Sequence, residues 1–493
     1  MTYRVGPGPD CDYPGLGALA EDNVLAPGDL VEITGTPAEG KTYTYDHKWE
    51  FPVAGSIDPI TFRGISNANG DRPFFDGRGK SLEAPRAFFE LYGSTTEGSP
   101  GDGAWVIENL EFQYCRNNDN DMNGSAIRNK NAASVTIRNC KIWNCAMGVM
   151  ASDEAVDTII EDCDIAFNGF GDGHSHNIYV MGTGWFRLRN SRVHDSTVGQ
   201  NVKTRNRFVE IASNEIFFSR DGEIGIIQSG SGLPEDSGVT RQPGSNAIVA
   251  DNLILTRKDR SGGNQAMVIS FGLDENTCGR DGTLYLYGNR ILTQSSSNQH
   301  IKLTGDMTRL KAGHNKFVGA GKTIIYEKDP ALLIAGAHNW CEEDALVPIQ
   351  FILPASYNYT MGEDFADAAS PANRQVRQTP ATPTGLRDWK EQGGLGVQWD
   401  AVPGAAFYRV WREKRVNKKG VEKTIWGGST EPQYVDTFQH YDSQPGEQKE
   451  YAYTVVAVDA QGNQSEQSIA WVKEHGVPDG YPDAGEEGKL TVA

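Results

Sequence analysis

The chain has 493 residues, too many for one ordinary core, so size alone predicts two or three domains. Its 46 basic and 65 acidic residues leave a formal charge of -19, which excludes nucleic acid and anionic membrane as general partners. With 56 glycines and many Asn, Asp and Ser residues, it reads as a turn-rich, mostly β protein. The opening MTYRVGPGPD has no basic segment followed by an apolar one, so neither a signal peptide nor a membrane insertion is visible there. Residues 1 to about 30 read as an N-terminal cap.

Beyond the cap one phrase recurs: VIENLEF, TIRNCKI, IIEDCDI, RLRNSRV, IASNEIF, VADNLIL, LYGNRIL and KAGHNKF. Each alternates apolar and polar residues, reaches Asn or Asp, and continues into a second short apolar run. The pivots are Asn109, Asn139, Asp162, Asn190, Asn214, Asn252, Asn289 and Asn315, with a last one at Asn339. Most gaps are 23 to 30 residues. Short strands at this period predict a solenoid whose coils stack on their neighbours, with the pivots forming an asparagine ladder. The pattern resembles the right-handed parallel β-helix superfamily, which includes many polysaccharide lyases, epimerases, hydrolases and phage tailspikes. The implied fold is all-β, a right-handed parallel β-helix solenoid over residues 1–364.

A further strand set aligns in the same coils: SAIRN, GVMAS, NIYVM, NVKTR, EIGII, AMVIS, HIKLT and TIIYE. With Ile127, Val149, Ile178, Val202, Ile224, Val268 or a neighbour, and Ile301 pointing inward, alternation sends Arg128, Asn177, Tyr179, Asn201, Lys203, Arg205 and Glu223 outward. The resemblance implies that this strand and its flanking turns form the floor of a substrate cleft. Seven cysteines (Cys11, Cys115, Cys140, Cys145, Cys163, Cys278 and Cys341) include no CxxC pair; stacked coils bring Cys140 near Cys163 and Cys115 near Cys145, which read as buried free thiols rather than disulfides.

Ahead of SAIRN, DNDMNG carries Asp119, Asp121 and Asn123 before Gly124, the first half of a calcium loop. Lys130 stands where an EF-hand has its bidentate Glu, so calcium there needs ligands from adjacent coils, and a polar Asx turn is the competing reading. Ahead of the next cleft strand but one, GDGHSHNIYVMG places His174 and His176 near Asp172; a zinc site is one reading and a hydrogen-bonded turn the commoner one. One coil later HDSTVGQ supplies His194 and Asp195, and SRDGEI adds Arg220, Asp221 and Glu223. Between Gly184 and Arg207 stand Arg187, Arg189, Arg192, Lys203, Arg205 and Arg207 against Asp195 alone. They read either as a cationic groove for an acidic polymer or, for the first three, as a solvated sheet face. The constellation GHSHNIY…VHDS…GQNVKTR…EI is similar to a group of bacterial β-helix proteins presumed to act on polysaccharides.

β-Elimination of a uronic acid needs a group to neutralise the carboxylate, a base for the adjacent ring proton and an acid for the departing oxygen. Lys203 is the first choice for the base, Tyr179 or His176 for the acid, and Arg205 with Asn201 for the carboxylate; Asn177, His174, His194, Arg220 and Glu223 are candidate substrate contacts. An epimerase uses the same groups. Hydrolysis needs two carboxylates at a set separation, and Asp172, Asp195, Asp221 and Glu223 show no such pair, so hydrolase ranks below lyase. The chemistry requires no cofactor, calcium being the optional one.

Residues 365–382 (DAASPANRQVRQTPATPTG and its edges) read as an Ala/Pro/Thr linker. Residues 383–475 then resemble a fibronectin type III module, through Trp399, Tyr408 and YAYTVVAVDAQGNQS; residues 476–493 form a polar tail. The expected protein is an extracellular or cell-surface lyase acting on an acidic polysaccharide. The rival is a virion component, such as a homotrimeric tailspike, that holds glycan without turnover.

Overall fold

Alternating apolar residues in the recurring strands build three parallel sheets that share one axis. The computed structural model describes residues 1–44, 50–51, 56–78, 87–93, 101–116, 124–169, 175–229, 238–256, 267–272, 280–293, 299–305, 307–319, 323–327, 333–341, 357–361, 380–391, 394–416, 419–436, 449–459, 465–474 and 490–492. The first sheet holds Ala87–Leu91, Ser125–Asn129, Met147–Ala151, the beginnings of Ile178–Arg189 and Val202–Ala212, then Ile224–Ile227, Met267–Gly272, Gln299–Leu303 and Thr323–Glu327. The second begins with Thr2–Val5, Leu30–Ile33, Ile60–Gly64, Ala104–Glu108, Ser134–Arg138 and Asp157–Glu161. It continues through the ends of the two long strands to Ala247–Ala250, Gly282–Tyr287, Thr308–Gly313 and Leu333–Cys341. The third takes the short strands after each bend, from Tyr43–Thr44 through Lys141–Trp143, Asp164–Ala166, Arg192–His194 and Glu215–Phe217 to Lys316–Gly319.

Register makes the inner columns. Phe89, Ile127, Val149, Ile178, Val202, Ile224, Ile269 and Ile301 pair in sequence along the first sheet, and all are fully buried. Ile269, the neighbour of Val268, holds the column position. Ile137, Ile160, Leu188, Ile211, Val249 and Leu286 do the same in the second sheet, and Ile142, Ile165, Val193, Ile216, Ile254 and Ile291 in the third. Each such side chain stabilises the fold by roughly 1.5–3 kcal/mol on burial. The segment expected as a cap already contributes Thr2–Val5 to the second sheet, and its helix Leu16–Asp22 buries Leu16 and Leu19 against the same core.

The bends carry a column of left-handed residues: Asn109, Asn139, Asp162, Asn190, Ser213, Asp251, Gly288 and His314. Asn and Asp tolerate that conformation because their short side chains bond locally. The expected single ladder is therefore two columns, offset by one residue. The buried column is the next position along: Cys140 N–H donates to Cys163 Sγ (3.4 Å), Cys163 N–H to Ser191 Oγ (3.1 Å), and Ser191 N–H to Asn214 Oδ1 (2.9 Å). From there the side chains of Asn214, Asn252, Asn289, Asn315 and Asn339 link Nδ2 to Oδ1 at 2.9 to 3.0 Å. Cys11, Cys115, Cys140, Cys145 and Cys163 are free, and all but Cys11 are buried. Burial pushes the Cys145 thiol up to about 12, and Cys115 and Cys163 well above their usual range.

The chain divides into two compact units, the second running from Asp364. It contains an antiparallel sheet of Arg387–Glu391, Gly394–Gln398 and Gln433–Asp436, and another of Lys419–Ser429, Ala405–Val416, Lys449–Asp459, Ser468–Glu474 and Leu490–Val492. Trp399 is buried edge-on to Tyr408, with ring centroids 5.0 Å apart. The last strand belongs to the segment expected as a polar tail, so that segment supplies a strand as well.

Candidate functional site

One residue beyond each inner position, the first sheet presents its outer row: Glu90, Arg128, Met150, Tyr179, Lys203, Gly225, Ser270 and Lys302 stand in register. In this row Tyr179, Lys203 and Lys302 are partly exposed, as is Arg205 two residues further along the same strand. The Lys203 ammonium lies 5.7 Å from the centroid of the Tyr179 ring. Arg205 Nε donates to Tyr179 Oη at 3.1 Å, and its Nη1 to the Gln228 carbonyl at 2.7 Å. Because the Tyr179 oxygen accepts from a cation, its own hydrogen is directed elsewhere.

His176 adjoins this group, its ring 5.4 Å from that of Tyr179, but it is only 2% exposed. Its Nδ1 accepts the Gln200 backbone N–H at 2.9 Å, so a neutral ring carries its hydrogen on Nε2. The strand approach is tight: a Cβ on Gly199 would stand 2.3 Å from that nitrogen.

Other expected contacts are interior. Asn177, Asn201 and Glu223 do not face outward; all three are fully buried in a second ladder. Asn168 Nδ2 donates to Asn177 Oδ1 (2.9 Å), Asn177 Nδ2 to Asn201 Oδ1 (2.7 Å), and Asn201 Nδ2 to Glu223 Oε2 (2.7 Å). Each precedes an inner apolar residue at a bend, where the backbone turns and two-residue alternation stops applying. Glu223 closes the series as an acceptor, also taking the Ser219 N–H.

His194 is likewise fully buried, on the third sheet. It bridges Asp195 Oδ2 (Nδ1, 2.9 Å) and Asp164 Oδ1 (Nε2, 3.1 Å) and stacks on Phe217 at 4.7 Å. Burial works to raise Asp164, but the hydrogen bond and charge of His194, with Lys141 and Arg192, outweigh it and leave this carboxyl below its usual range. Arg220 is partly buried in the turn, its N–H on the Ser196 carbonyl at 3.1 Å. His174, Asp172, Asp119, Asp121 and Asn123 lie outside the described residues, and no cluster of three metal-binding side chains occurs among the described ones.

The cationic stretch divides. On the outer face of the second sheet, Arg63, Glu108, Arg138, Glu161, Arg189, Glu210 and Arg187 alternate in sign at 2.5 to 3.8 Å. Arg192 pairs with Glu215 at 3.7 Å. Arg187, Arg189 and Arg192 thus form the solvated-face arrangement, while Lys203 and Arg205 join Arg128 and Lys302 on the first-sheet face. The residues that sequence reasoning missed are Gln200, Ser270 and Lys302. The last two follow from continuing the alternation through AMVIS and HIKLT, whereas Gln200 carries no local signal.

Fold and site together define a parallel β-helix protein with a cationic, tyrosine-bearing patch on one sheet. A family model described as "Right handed beta helix region" matches residues 76–216. Among solved structures the chain is similar to DFA-IIIase from Arthrobacter chlorophenolicus A6 in complex with DFA-III, with 13% identity, 71% of this chain and 96% of that chain covered, and a TM-score of 0.42. It is also similar to the tailspike gp49 of Acinetobacter baumannii bacteriophage Fri1, a capsular polysaccharide depolymerase (10% identity, 99% and 81% covered, TM-score 0.35). A Fn3-like protein from Clostridium thermocellum matches at 31% identity, with 18% of this chain and 91% of that chain covered and a TM-score of 0.14. No curated protein matches the sequence. No helix of the described residues is long and apolar enough to cross a membrane.

Proposed function

We propose that the protein is a carbohydrate-active β-helix that cleaves an acidic, uronate-containing polysaccharide by β-elimination on the outer face of its first sheet. The observation that carries this reading is the juxtaposition of Tyr179, Lys203 and Arg205, with Arg205 Nε on the Tyr179 oxygen. In the elimination a base removes the proton on C5, the C4–C5 double bond forms, the C4–O bond breaks, and the departing oxygen takes up a proton. Lys203 removes the C5 proton, Tyr179 gives its hydrogen to the leaving oxygen, and Arg205 steadies the carboxylate charge. Hydrolysis is less well supplied: two of the carboxylates considered for it, Asp195 and Glu223, are fully buried and hydrogen-bonded.

This reading places the protein where such polymers are found, outside the cell or on a virion. It also makes the C-terminal unit a fibronectin type III-like spacer, supported by its two antiparallel sheets and the Trp399–Tyr408 contact. The test is ultraviolet absorbance of unsaturated uronate during incubation with alginate, pectate, glycosaminoglycans and bacterial capsules, with and without calcium. A rise on one polymer that is lost in Lys203→Ala and Tyr179→Phe is the expected result. No rise on any polymer overturns the lyase, and retained glycan binding would then indicate an epimerase or a binder of the tailspike kind.

A further inference from the structure

Gln200 sits in the turn entering Val202–Ala212 and is 4% exposed. Its backbone is engaged on both sides, N–H to His176 Nδ1 (2.9 Å) and carbonyl from the Asn177 N–H (3.2 Å). Its side-chain amide makes no hydrogen bond among the described residues. Neither amide atom is among the fully buried polar atoms that lack a partner, so the residual exposure of Gln200 leaves its amide open to solvent and to a ligand.

That position is specific. The amide lies over Gly225, the register partner of Lys203: a Cβ there would come to 2.6 Å from Nε2 and 3.0 Å from Oε1. A Cβ on Gly222 would also crowd Nε2, at 3.3 Å. The missing side chain at Gly225 thus leaves a gap in the outer row, and the Gln200 amide fills it beside Lys203. Partners across a parallel ladder lie about 4.8 Å apart, so a group bound at Lys203 is within reach of the amide.

We infer that Gln200 is a specificity residue that contacts the substrate: Nε2 donates to the carboxylate of the sugar held at Lys203, and Oε1 accepts from a neighbouring hydroxyl. The inference rests on the reading of this face as a glycan site, and it adds how the acidic sugar is recognised. A neutral amide next to Lys203 and Arg205 binds a carboxylate without adding charge.

The test uses the full chain carrying Tyr179→Phe, so that bound sugar is not turned over, and titrates it calorimetrically with two panels. One holds oligomers of galacturonate, mannuronate, guluronate and hyaluronan; the other holds neutral malto-, cello- and xylo-oligosaccharides. Adding Gln200→Ala is expected to weaken binding of a uronate oligomer about tenfold, and Gln200→Glu about a hundredfold, through like-charge repulsion. Gly225→Ala, which pushes the amide out of its gap, should reproduce the Gln200→Ala loss while the melting temperature stays within about 2 °C. Equal uronate binding with and without Gln200→Ala overturns the inference and leaves the proposed function standing. Binding of neutral sugars only, weakened by Gln200→Ala, keeps Gln200 as a contact and overturns the acidic substrate. No binding by the parent protein to either panel overturns both.

Discussion

The Tyr179 oxygen accepts from Arg205 while its ring stands beside the Lys203 ammonium, so three side chains on two adjacent strands act as one group. Replacing Tyr179 by Phe removes the transferable hydrogen and leaves the ring, and is expected to lower kcat by about 10²–10⁴ with little change in KM. Lys203→Ala should cost at least as much, read by the same absorbance assay, while circular dichroism stays native because the side chain is partly exposed. These positions were legible in the sequence: they follow Ile178 and Val202 by one or three residues, where strand alternation holds. Asn177, Asn201 and Glu223 were misread outward because each sits at a bend. Gln200 was not legible at all, since its orientation depends on the gap at Gly225, on another strand.

Among the elements, the buried ladder makes the sharpest demand. Asn252 accepts from the Asn214 N–H (2.9 Å) and Nδ2 (3.0 Å) and donates to Asn289 Oδ1 and the Ile211 carbonyl, both at 2.9 Å. Asn252→Ala strands several buried groups and should destabilise the protein by about 3 kcal/mol in urea unfolding. Asn252→Asp should be worse, since a carboxylate faces two acceptors. The existence of a ladder was readable from the Asn pulse, but not its register, because Cys140, Cys163 and Ser191 hold the buried position in the earlier coils while Asn occupies the bend before it. Asp164 gives a pH dependence. Its pKa is lowered in the folded protein, so its contribution is complete above the unfolded value of about 3.9 and disappears as pH falls through the folded one. Asp164→Asn should therefore lower stability near neutral pH and flatten the acid limb; the effect is small because the side chain is 35% exposed.

For the molecule as a whole, the repeat period made the solenoid legible, while the paired arginines of the second sheet show why local charge misleads: Glu108, Glu161 and Glu210 lie outside the local stretch and adjacent in space. The thiols supply another expectation. Native protein treated with iodoacetamide should remain unmodified at Cys115, Cys140, Cys145 and Cys163 by peptide mapping, and a reductant should shift the melting temperature by less than about 1 °C. The ladder also has a direction: every rung from Asn214 to Asn315 passes its amide hydrogen to the following coil, so within this stretch one Asn rung offers the same donor and acceptor as the next. Excising residues 289–314 joins Gly288 to Asn315 and hands the Asn252 donor to Asn315, and is expected to return a shorter folded protein that keeps Tyr179, Lys203 and Arg205 but loses Lys302 from the outer row. Coil number is thus a modular quantity that whole-repeat insertion or loss can change, whereas a cut of any other length breaks the chain of donors.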